Sequence, residues 1–133
     1  EIFERKMDYY KAKEYFTKSL SIIKRLDPYS KGNPYSKERI TETTIFLFHT
    51  FKNLGQEYDI EEVKKLIKEA ENIEFDLNYH LYQLLEDKSY LETAYNQVQE
   101  NADAMEEELK LKFLSYPIPS AIVKEWEKVK LHP

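Results

Sequence analysis

DYYKAKEYFTKSLSIIKRL, residues 8–26, is the stretch of sequence that decides the fold. Its apolar and small residues recur at alternating intervals of four and three positions, which is the spacing of one face of an α-helix. Because proline disfavours helical backbone at the residue before it, the helix is predicted to end at Asp27-Pro28. The residues of the repeating face are Ala12, Phe16, Ser19, Ile23 and Leu26.

Turn-forming residues separate this helix from a second one. Residues 28–36, with Gly32-Asn33-Pro34, are predicted to form a loop. Ser36 is a suitable N-cap for a helix running to about Leu54, and Gly55 is a suitable stop. Two apolar residues lie off the main face of this helix, so it is predicted to be buried on more than one side. The main face is Ile40, Leu47, Phe48, Phe51 and Leu54, and the two others are Ile45 and Phe46.

Three further helices are each preceded by a capping residue. Asp59 and Glu62 have the spacing of a capping box, as do Ser89 and Glu92, and Asp76 is predicted to cap a helix over about residues 77–87. Their predicted buried faces are Ile60, Val63, Ile67 and Ala70; then Leu77, Leu81, Leu84 and Leu85; then Leu91, Ala94, Val98 and Ala102.

The last thirty residues leave one alternative open. Met105, Leu109 and Phe113 either continue the fifth helix or begin a sixth after a break near Asp103. Pro119 is predicted in the first turn of a final helix, where proline is well tolerated. No long segment alternates apolar and polar residues, so the fold class is predicted to be all-α. The predicted buried face of the last helix is Ile122, Val123, Trp126 and Val129.

Composition narrows the functional classes. The chain has no Cys, which excludes disulfides, thiolate catalysis and Cys-ligated metals. It has neither a signal-peptide core nor a run of 18 apolar residues, so a cytoplasmic protein without membrane contact is expected. Residues 1–53 hold 11 Lys and Arg against 7 Asp and Glu, whereas the remainder carries a net charge of −9. Because the acidic part would repel phosphates, nucleic-acid binding is not expected, and the charges are interpreted as solvated helix faces or as a binding surface.

The spacing of small and large residues resembles the tetratricopeptide repeat. The second helix of that motif has a small, a bulky and a second small residue at intervals of four and three, as in Ala12, Phe16 and Ser19. Phe48 and Tyr82 depart from the family because it has small residues there, and the copies lie 51 and 31 residues apart instead of about 34. The other matching sets are Val63, Ile67 and Ala70; Ala94, Val98 and Asn101; Leu47, Phe48 and Phe51; and Leu81, Tyr82 and Leu85.

This resemblance implies antiparallel helix-turn-helix pairs, stacked as a short right-handed α-solenoid within one domain over residues 1–133. Residues 8–102 would form the repeat-like pairs and residues 103–133 the closing helices. The implied function is a non-enzymatic protein-interaction module that presents a concave groove to a peptide or partner protein. The alternative is a helical spacer or regulatory domain, without a ligand of its own, attached to a catalytic or DNA-binding domain. Because the first copy lacks its first helix, a larger regulatory parent protein is expected.

In this family the first helices of the pairs line the concave face. The resemblance therefore implies partner contacts on two stretches of helix, although simple exposure is the alternative interpretation of these residues. Their mixture of tyrosine, amide and charged side chains suits peptide recognition. The residues are Ile45, His49, Lys52 and Asn53 on one stretch, and Tyr79, Gln83 and Glu86 on the next.

Nothing in the sequence favours catalysis, a metal or a cofactor. His49, His80 and His132 are scattered, and neither of the first two has a second ligand four residues later. The acidic residues fall on helix faces and caps, and the two glycines build no phosphate-binding loop. Among the aromatic residues, burial is favoured over partner contact for Tyr15, Tyr82, Tyr95 and Trp126.

Overall fold

A computed structural model describes residues 2–26, 34–70 and 72–131 of the chain. These residues form seven α-helices and no β-strand, which confirms the all-α prediction. No helix among them is both long enough and apolar enough to cross a lipid bilayer. The helices are α1 (Ile2–Leu26), α2 (Pro34–Asn53), α3 (Ile60–Glu69), α4 (Phe75–Leu85), α5 (Lys88–Asp103), α6 (Glu107–Ser115) and α7 (Pro117–Lys130).

The chain divides into two compact units, Glu1–Asn72 and Ile73–Pro133. Unit 1 contains α1, α2 and α3, and unit 2 contains α4 to α7. The tetratricopeptide resemblance implies one domain over residues 1–133. Hydrophobic periodicity within each helix gives no signal for the division, because it specifies which face is buried and not which helix covers that face.

The core of unit 1 is built around α2, which packs against both α1 and α3. This position confirms the prediction that α2 is buried on more than one side: Ile45 has no exposed surface, although it lies off the main apolar face. Between α1 and α2, the rings of Phe16 and Phe46 lie 5.8 Å apart. The buried residues of this unit are Ile23, Thr41, Thr44, Ile45, Leu47, Phe48, Thr50 and Val63.

Two helix boundaries in unit 1 differ from the prediction. The first helix begins at Ile2, six residues before Asp8, and ends at Leu26 as predicted. The second helix begins at Pro34, so the prediction of Ser36 as its N-cap is wrong. Proline suits the first turn of a helix because its φ is already helical and its missing N–H would have no partner there. Residues 28–33 of the predicted loop lie outside the described residues.

The connection from α2 to α3 agrees with the sequence. Gly55 follows α2 with a φ of +71°, and the carboxylate of Asp59 accepts hydrogen bonds from the backbone N–H groups of Glu61 and Glu62 at 3.0 and 3.3 Å. Both the predicted stop and the predicted N-cap are therefore confirmed. The prediction that Ile60 is buried is wrong, because 44% of its surface is exposed at the first position of α3. Val63 in the next turn is fully buried.

Unit 2 has a compact aliphatic core. Helix α4 packs against α5, α7 packs against both, and α6 contacts α5 and α7. The four predicted core residues of α5 are fully buried, which confirms the periodicity of Leu91, Ala94, Val98 and Ala102. Leu91, Ala94 and Val98 form a cluster with Ile122 of α7. Packed around it are Phe75, Tyr79, Tyr82, Tyr95, Phe113, Leu114, Ile118, Val123, Trp126 and Val129.

Two predicted caps in unit 2 are wrong. Helix α4 starts at Phe75, and Asp76 lies inside its first turn, where its carboxylate accepts a hydrogen bond from the adjacent N–H of Leu77. Helix α5 starts at Lys88, so Ser89 is also inside the first turn. Asp87 is its N-cap and accepts from the Ser89 N–H at 2.9 Å. The N-cap of each helix is thus a residue shortly before the predicted one: Glu74 for α4 and Asp87 for α5.

The C-terminal helices resolve the alternative that the sequence left open. Helix α5 ends at Asp103 and α6 begins at Glu107, so Leu109 and Phe113 belong to a separate sixth helix. The final helix begins at Pro117, two residues before Pro119, which is buried in its first turn. Its predicted inward face is confirmed, since Ile122 is fully buried and Val123, Trp126 and Val129 pack against the core cluster.

A buried amide pair fixes the segment that leads into α4. Asn78 is 4% exposed and donates hydrogen bonds to the Ile73 carbonyl at 3.2 Å and to Gln97 Oε1 at 2.9 Å. Gln97 in turn donates to the same Ile73 carbonyl at 2.8 Å. Because the buried amide group of Asn78 has partners on both α5 and the preceding segment, it does not incur the cost of an unpaired polar group.

Candidate functional site

The predicted contact residues of unit 1 lie on α2 with very different exposures. Ile45 is fully buried and belongs to the core of the unit, so its side chain offers no surface to a partner. His49 and Lys52 are partly exposed, and Asn53 is exposed at the last position of the helix. The surface patch that remains consists of His49, Lys52 and Asn53, at the C-terminal end of α2.

A cation on α1 lies near this end of α2. Lys13 donates a hydrogen bond to Gln56 Oε1 at 2.9 Å, and its ammonium nitrogen lies 5.3 Å from the ring centroid of Phe51. A lysine held over an aromatic face gains a favourable electrostatic contact and loses side-chain freedom. Lys13 therefore fixes the end of α2 to α1. No local spacing indicates this contact, because the hydrogen-bonded residues are 43 positions apart.

In unit 2, the predicted contact residues lie on one face of α4. Tyr79, Gln83 and Glu86 are spaced by four and three residues, and Tyr82 lies on the same side one turn after Tyr79. Tyr79, Tyr82 and Gln83 are partly exposed, and Glu86 is exposed. With Glu125 of α7, these residues form what we call the tyrosine surface: Tyr79, Tyr82, Gln83, Glu86 and Glu125.

Two contacts hold the tyrosine surface in place. The rings of Tyr79 and Tyr82 are stacked, with centroids 6.4 Å apart and an interplanar angle of 24°. The Tyr82 hydroxyl donates a hydrogen bond to Glu125 Oε1 at 3.2 Å, which joins α4 to α7. Both rings also pack against the core cluster of the unit. Each tyrosine is therefore anchored by its inner edge and accessible at its outer edge.

The electrostatic environment keeps both phenols protonated. Burial raises the pKa of Tyr79 above 10.0, and the negative charge of Glu125 raises it further. The pKa of Tyr82 is also raised, first by burial and then by the charge of Glu125 and the hydrogen bond to it, with smaller effects of Tyr79 and Glu86. The tyrosine surface thus combines two phenol rings with the acidic side chains of Glu86 and Glu125, an arrangement that attracts cationic groups.

Sequence reasoning missed Glu125 and assigned Tyr82 to the interior. Tyr82 occupies a position where the repeat family has a small residue, and the structure shows it partly exposed instead of enclosed between helices. The Tyr82 and Glu125 side chains are 43 residues apart in sequence. Only the packing of α7 on α4 brings them together, so no local spacing indicates the contact.

The remaining aromatic residues have mainly structural environments. Tyr95 and Trp126 stack with centroids 5.6 Å apart against the core of unit 2, so the preference for burial over partner contact holds for this pair. Tyr15 differs: it was expected to be buried, and that prediction is wrong, because 66% of its surface is exposed on α1.

The histidines are placed apart from one another in the chain. Burial lowers the pKa of His80 below 6.5, although the charge of Asp76 opposes the shift. His49 lies on α2 of unit 1, and His132 lies outside the described residues. Within the described part of the chain, no three His, Asp or Glu side chains are grouped so that they could hold a metal ion.

No protein-family model matches the sequence. Neither the curated proteins nor the solved structures contain a match.

Proposed function

We propose that this chain is a non-enzymatic protein-interaction module and that the tyrosine surface of unit 2 binds a peptide or protein segment. The observation that supports this most directly is the stacked pair of Tyr79 and Tyr82, anchored on Glu125 yet partly exposed. A tyrosine that is already ordered contributes contact area without a large loss of side-chain entropy on binding. Such residues are frequent at the centre of protein interfaces.

The charge of the surface specifies the chemistry of the partner. Glu86 and Glu125 flank the tyrosine pair, and residues 73–133 contain 12 Asp and Glu against 6 Lys and Arg. A partner segment with an Arg or Lys side chain would find a carboxylate and an aromatic face side by side, both of which attract a cation. The amide of Gln83 adds a donor and an acceptor for the partner backbone.

The repeat-like arrangement is part of this proposal. It is supported by the packing of α2 on α3 and of α4 on α5, which are the two helix pairs that the tetratricopeptide resemblance implies. The two-residue connection between α4 and α5 makes these helices antiparallel neighbours. In unit 1, His49, Lys52 and Asn53 form a second candidate patch. A cytoplasmic location, supported by the lack of Cys, also remains part of the proposal.

A peptide selection tests the tyrosine surface. Random peptides displayed on phage are selected against the full chain, and we expect the enriched sequences to be rich in Arg and Lys. Binding of these peptides should weaken roughly fivefold or more in the variant Gln83→Ala with Glu86→Ala, because truncating residues near the centre of an interface costs on the order of 1 kcal/mol or more. Lys52→Ala tests the patch of unit 1 separately.

The matched control replaces exposed residues of α5, Glu92→Ala with Asn96→Ala, which removes one carboxylate and one amide elsewhere on unit 2. This variant should bind the selected peptides as the natural chain does. If the double variant of Gln83 and Glu86 also binds them unchanged, the tyrosine surface is not the interaction site. The helical spacer without a ligand would then be the better description, and the two separate compact units are consistent with it.

A further inference from the structure

Helix α1 has two apolar faces, and α2 covers one of them. Phe16 contacts Phe46 of α2, and Ile23 is 8% exposed on the same side. Among the described side chains of α1, five large apolar residues are open to solvent. Three of them share one face, where Tyr15 is 66% exposed, Ile22 51% and Leu26 55%, whereas Met7 and Tyr10 lie elsewhere on the helix. Single exposed apolar residues are common on protein surfaces, so it is the regular spacing of these three that is informative.

The exposed residues follow a heptad register. Asp8, Tyr15 and Ile22 are seven residues apart and occupy one seam position, d. Ala12, Ser19 and Leu26 occupy the other seam position, a. Small residues at two a positions allow close approach of another helix, and large residues at d supply apolar area. We call this face, made of Ala12, Tyr15, Ser19, Ile22 and Leu26, the outer stripe.

A row of cations borders the outer stripe on one side. Lys11, Lys18 and Arg25 are all exposed and all occupy heptad position g. The other border is heptad position e, which faces the side of α1 that packs on α2. Its residues are Tyr9, Phe16 and Ile23. In coiled coils, charges at e and g determine which partner is accepted. Lys18 forms an ion pair with Glu14 at 3.0 Å, but both side chains are largely exposed, and such pairs contribute little.

From this register we propose that the outer stripe docks an amphipathic α-helix of a partner protein whose apolar seam is bordered by a heptad row of Asp or Glu. The stripe supplies the apolar seam, and the row Lys11, Lys18 and Arg25 supplies the charge that selects the acidic border. This surface is on unit 1 and is independent of the tyrosine surface, so either proposal can fail without the other.

Two other occupants fit the same face less well. In an antiparallel pair of two α1 helices from two copies of the chain, the basic borders would meet and repel each other. An anionic membrane surface is best bound by a helix that has basic residues on both sides of its apolar face. Here the second side is turned toward α2 and lacks such a row, which favours a protein helix over lipid.

The proposal is tested with a synthetic helical peptide as the probe. The acidic peptide is about four heptads long, with Leu at a and d and Glu at e and g, and a matching peptide has Lys in place of Glu. Binding of each labelled peptide to the full chain is measured by fluorescence anisotropy. We expect the acidic peptide to bind at least roughly tenfold more tightly than the basic one, since the charges on the two helices are complementary.

Charge reversal on α1 provides the decisive comparison. The variant Lys18→Glu with Arg25→Glu should reverse the preference in favour of the basic peptide. Lys24→Glu makes the same kind of charge change at heptad position f, away from the stripe, and should leave the preference for the acidic peptide in place. Ile22→Asp should abolish binding of the acidic peptide without unfolding the chain, because Ile22 is 51% exposed; circular dichroism checks its fold.

The proposal is overturned if both peptides bind the natural chain equally, or if Ile22→Asp leaves binding of the acidic peptide unchanged. The stripe would be assigned to lipid instead if the natural chain does not bind the acidic peptide but does bind vesicles of phosphatidylserine and phosphatidylcholine. Ile22→Asp should then abolish the binding to vesicles. The stripe would be assigned to a second copy of the chain if the natural chain does not bind the acidic peptide but self-associates in analytical ultracentrifugation. Ile22→Asp should then abolish the self-association.

Discussion

The two units of this chain differ in the hydrogen bonding of their buried polar side chains. Unit 2 buries Asn78, and hydrogen bonds to Ile73 and Gln97 satisfy its amide group. Unit 1 buries three threonines of α2. The hydroxyls of Thr41 and Thr50 donate to backbone carbonyls one turn earlier. The Thr44 hydroxyl, at 1% exposure, has no hydrogen-bond partner among the residues that the structure describes.

The units also differ in where they leave apolar side chains exposed. Around the core of unit 2, helices α4, α5 and α7 pack against one another, and four residues of that core are fully buried. In unit 1, α1 leaves Tyr15, Ile22 and Leu26 more than half exposed. Unit 2 also leaves large apolar residues exposed, but they lie on α6 and at the ends of α7: Leu109, Leu111, Tyr116 and Leu131. Unit 1 instead has exposed apolar residues along its longest helix and, among the described residues, one buried hydroxyl without a hydrogen-bond partner. Stability variants can test that difference.

The largest expected effect is a core truncation in unit 2. Leu81 is fully buried, so Leu81→Ala should lower the free energy of unfolding of unit 2 by about 3 kcal/mol, through lost burial and the cavity left behind. Trp126, the single tryptophan, lies in this unit, and its fluorescence during urea denaturation measures the change. Leu111→Ala, at a residue 64% exposed, is the control and should cost less than about 0.5 kcal/mol.

This variant also tests whether the two units are independent. Hydrogen exchange of the backbone amides of α1 and α2 in Leu81→Ala should match that of the natural chain, since each unit has its own core. Equal acceleration of exchange in both units would instead show that they unfold together.

A smaller effect is expected from the unpaired hydroxyl of unit 1. Thr44→Val replaces a buried hydroxyl that has no hydrogen-bond partner with a methyl group of similar size, and should raise the free energy of unfolding by between about 1 and 2 kcal/mol. Thr50→Val is the matched control on the same helix. Its hydroxyl donates to the Phe46 carbonyl at 2.9 Å, so its loss should bring no comparable gain. Urea denaturation followed by circular dichroism measures both; an equal gain in the two variants would show that the hydrogen bond is irrelevant.

Much of the fold could be predicted because its determinants are local. The inward faces of α5 and α7, the end of α1 before Pro28, and the roles of Gly55 and Asp59 depend on residues within one or two turns of each other. Local rules were ambiguous where two candidates stood close together, as with Asp87 and Ser89 at the start of α5. Tertiary packing decides which of two such neighbouring residues becomes the N-cap, and this packing cannot be read from the local sequence.

The candidate site was less predictable for the same reason. Tyr79, Gln83 and Glu86 were assigned through the family resemblance and do lie at the surface of α4, but Glu125 reaches them only because α7 packs on α4. Ile45 was assigned to the contact face by the same resemblance, yet it is buried because α2 has neighbours on two sides. A helical register predicts which residues share a face; it does not predict whether another helix covers that face.

The two helix ends offer a finer comparison. After α2, Gly55 has a φ of +71°, and after α4, Glu86 adopts the same left-handed region with a φ of 55°. Glycine enters this region without steric cost, whereas a side chain incurs about 1 kcal/mol. Glu86→Gly should therefore stabilise unit 2 by up to about 1 kcal/mol, measured by Trp126 fluorescence in urea. Gly55→Ala should destabilise unit 1 by a similar amount, because an added Cβ meets no atom within 4 Å and only the backbone strain remains.

The smallest expected effect is the response of unit 2 to acid. Burial lowers the pKa of His80 in the folded state below its unfolded value of about 6.5, and Asp76 partly offsets the shift. Between these two pKa values the unfolded state binds more protons, so acid favours unfolding. The contribution of His80 to the free energy of unfolding is present above pH 6.5 and is lost as the pH falls through the folded pKa.

The urea midpoint of Trp126 fluorescence should decline between pH 7.5 and pH 5 in the natural chain. It should decline less in His80→Gln, in which His49 and His132 remain. An equal decline in both proteins would assign the acid response to other groups and leave His80 as a structural residue of α4.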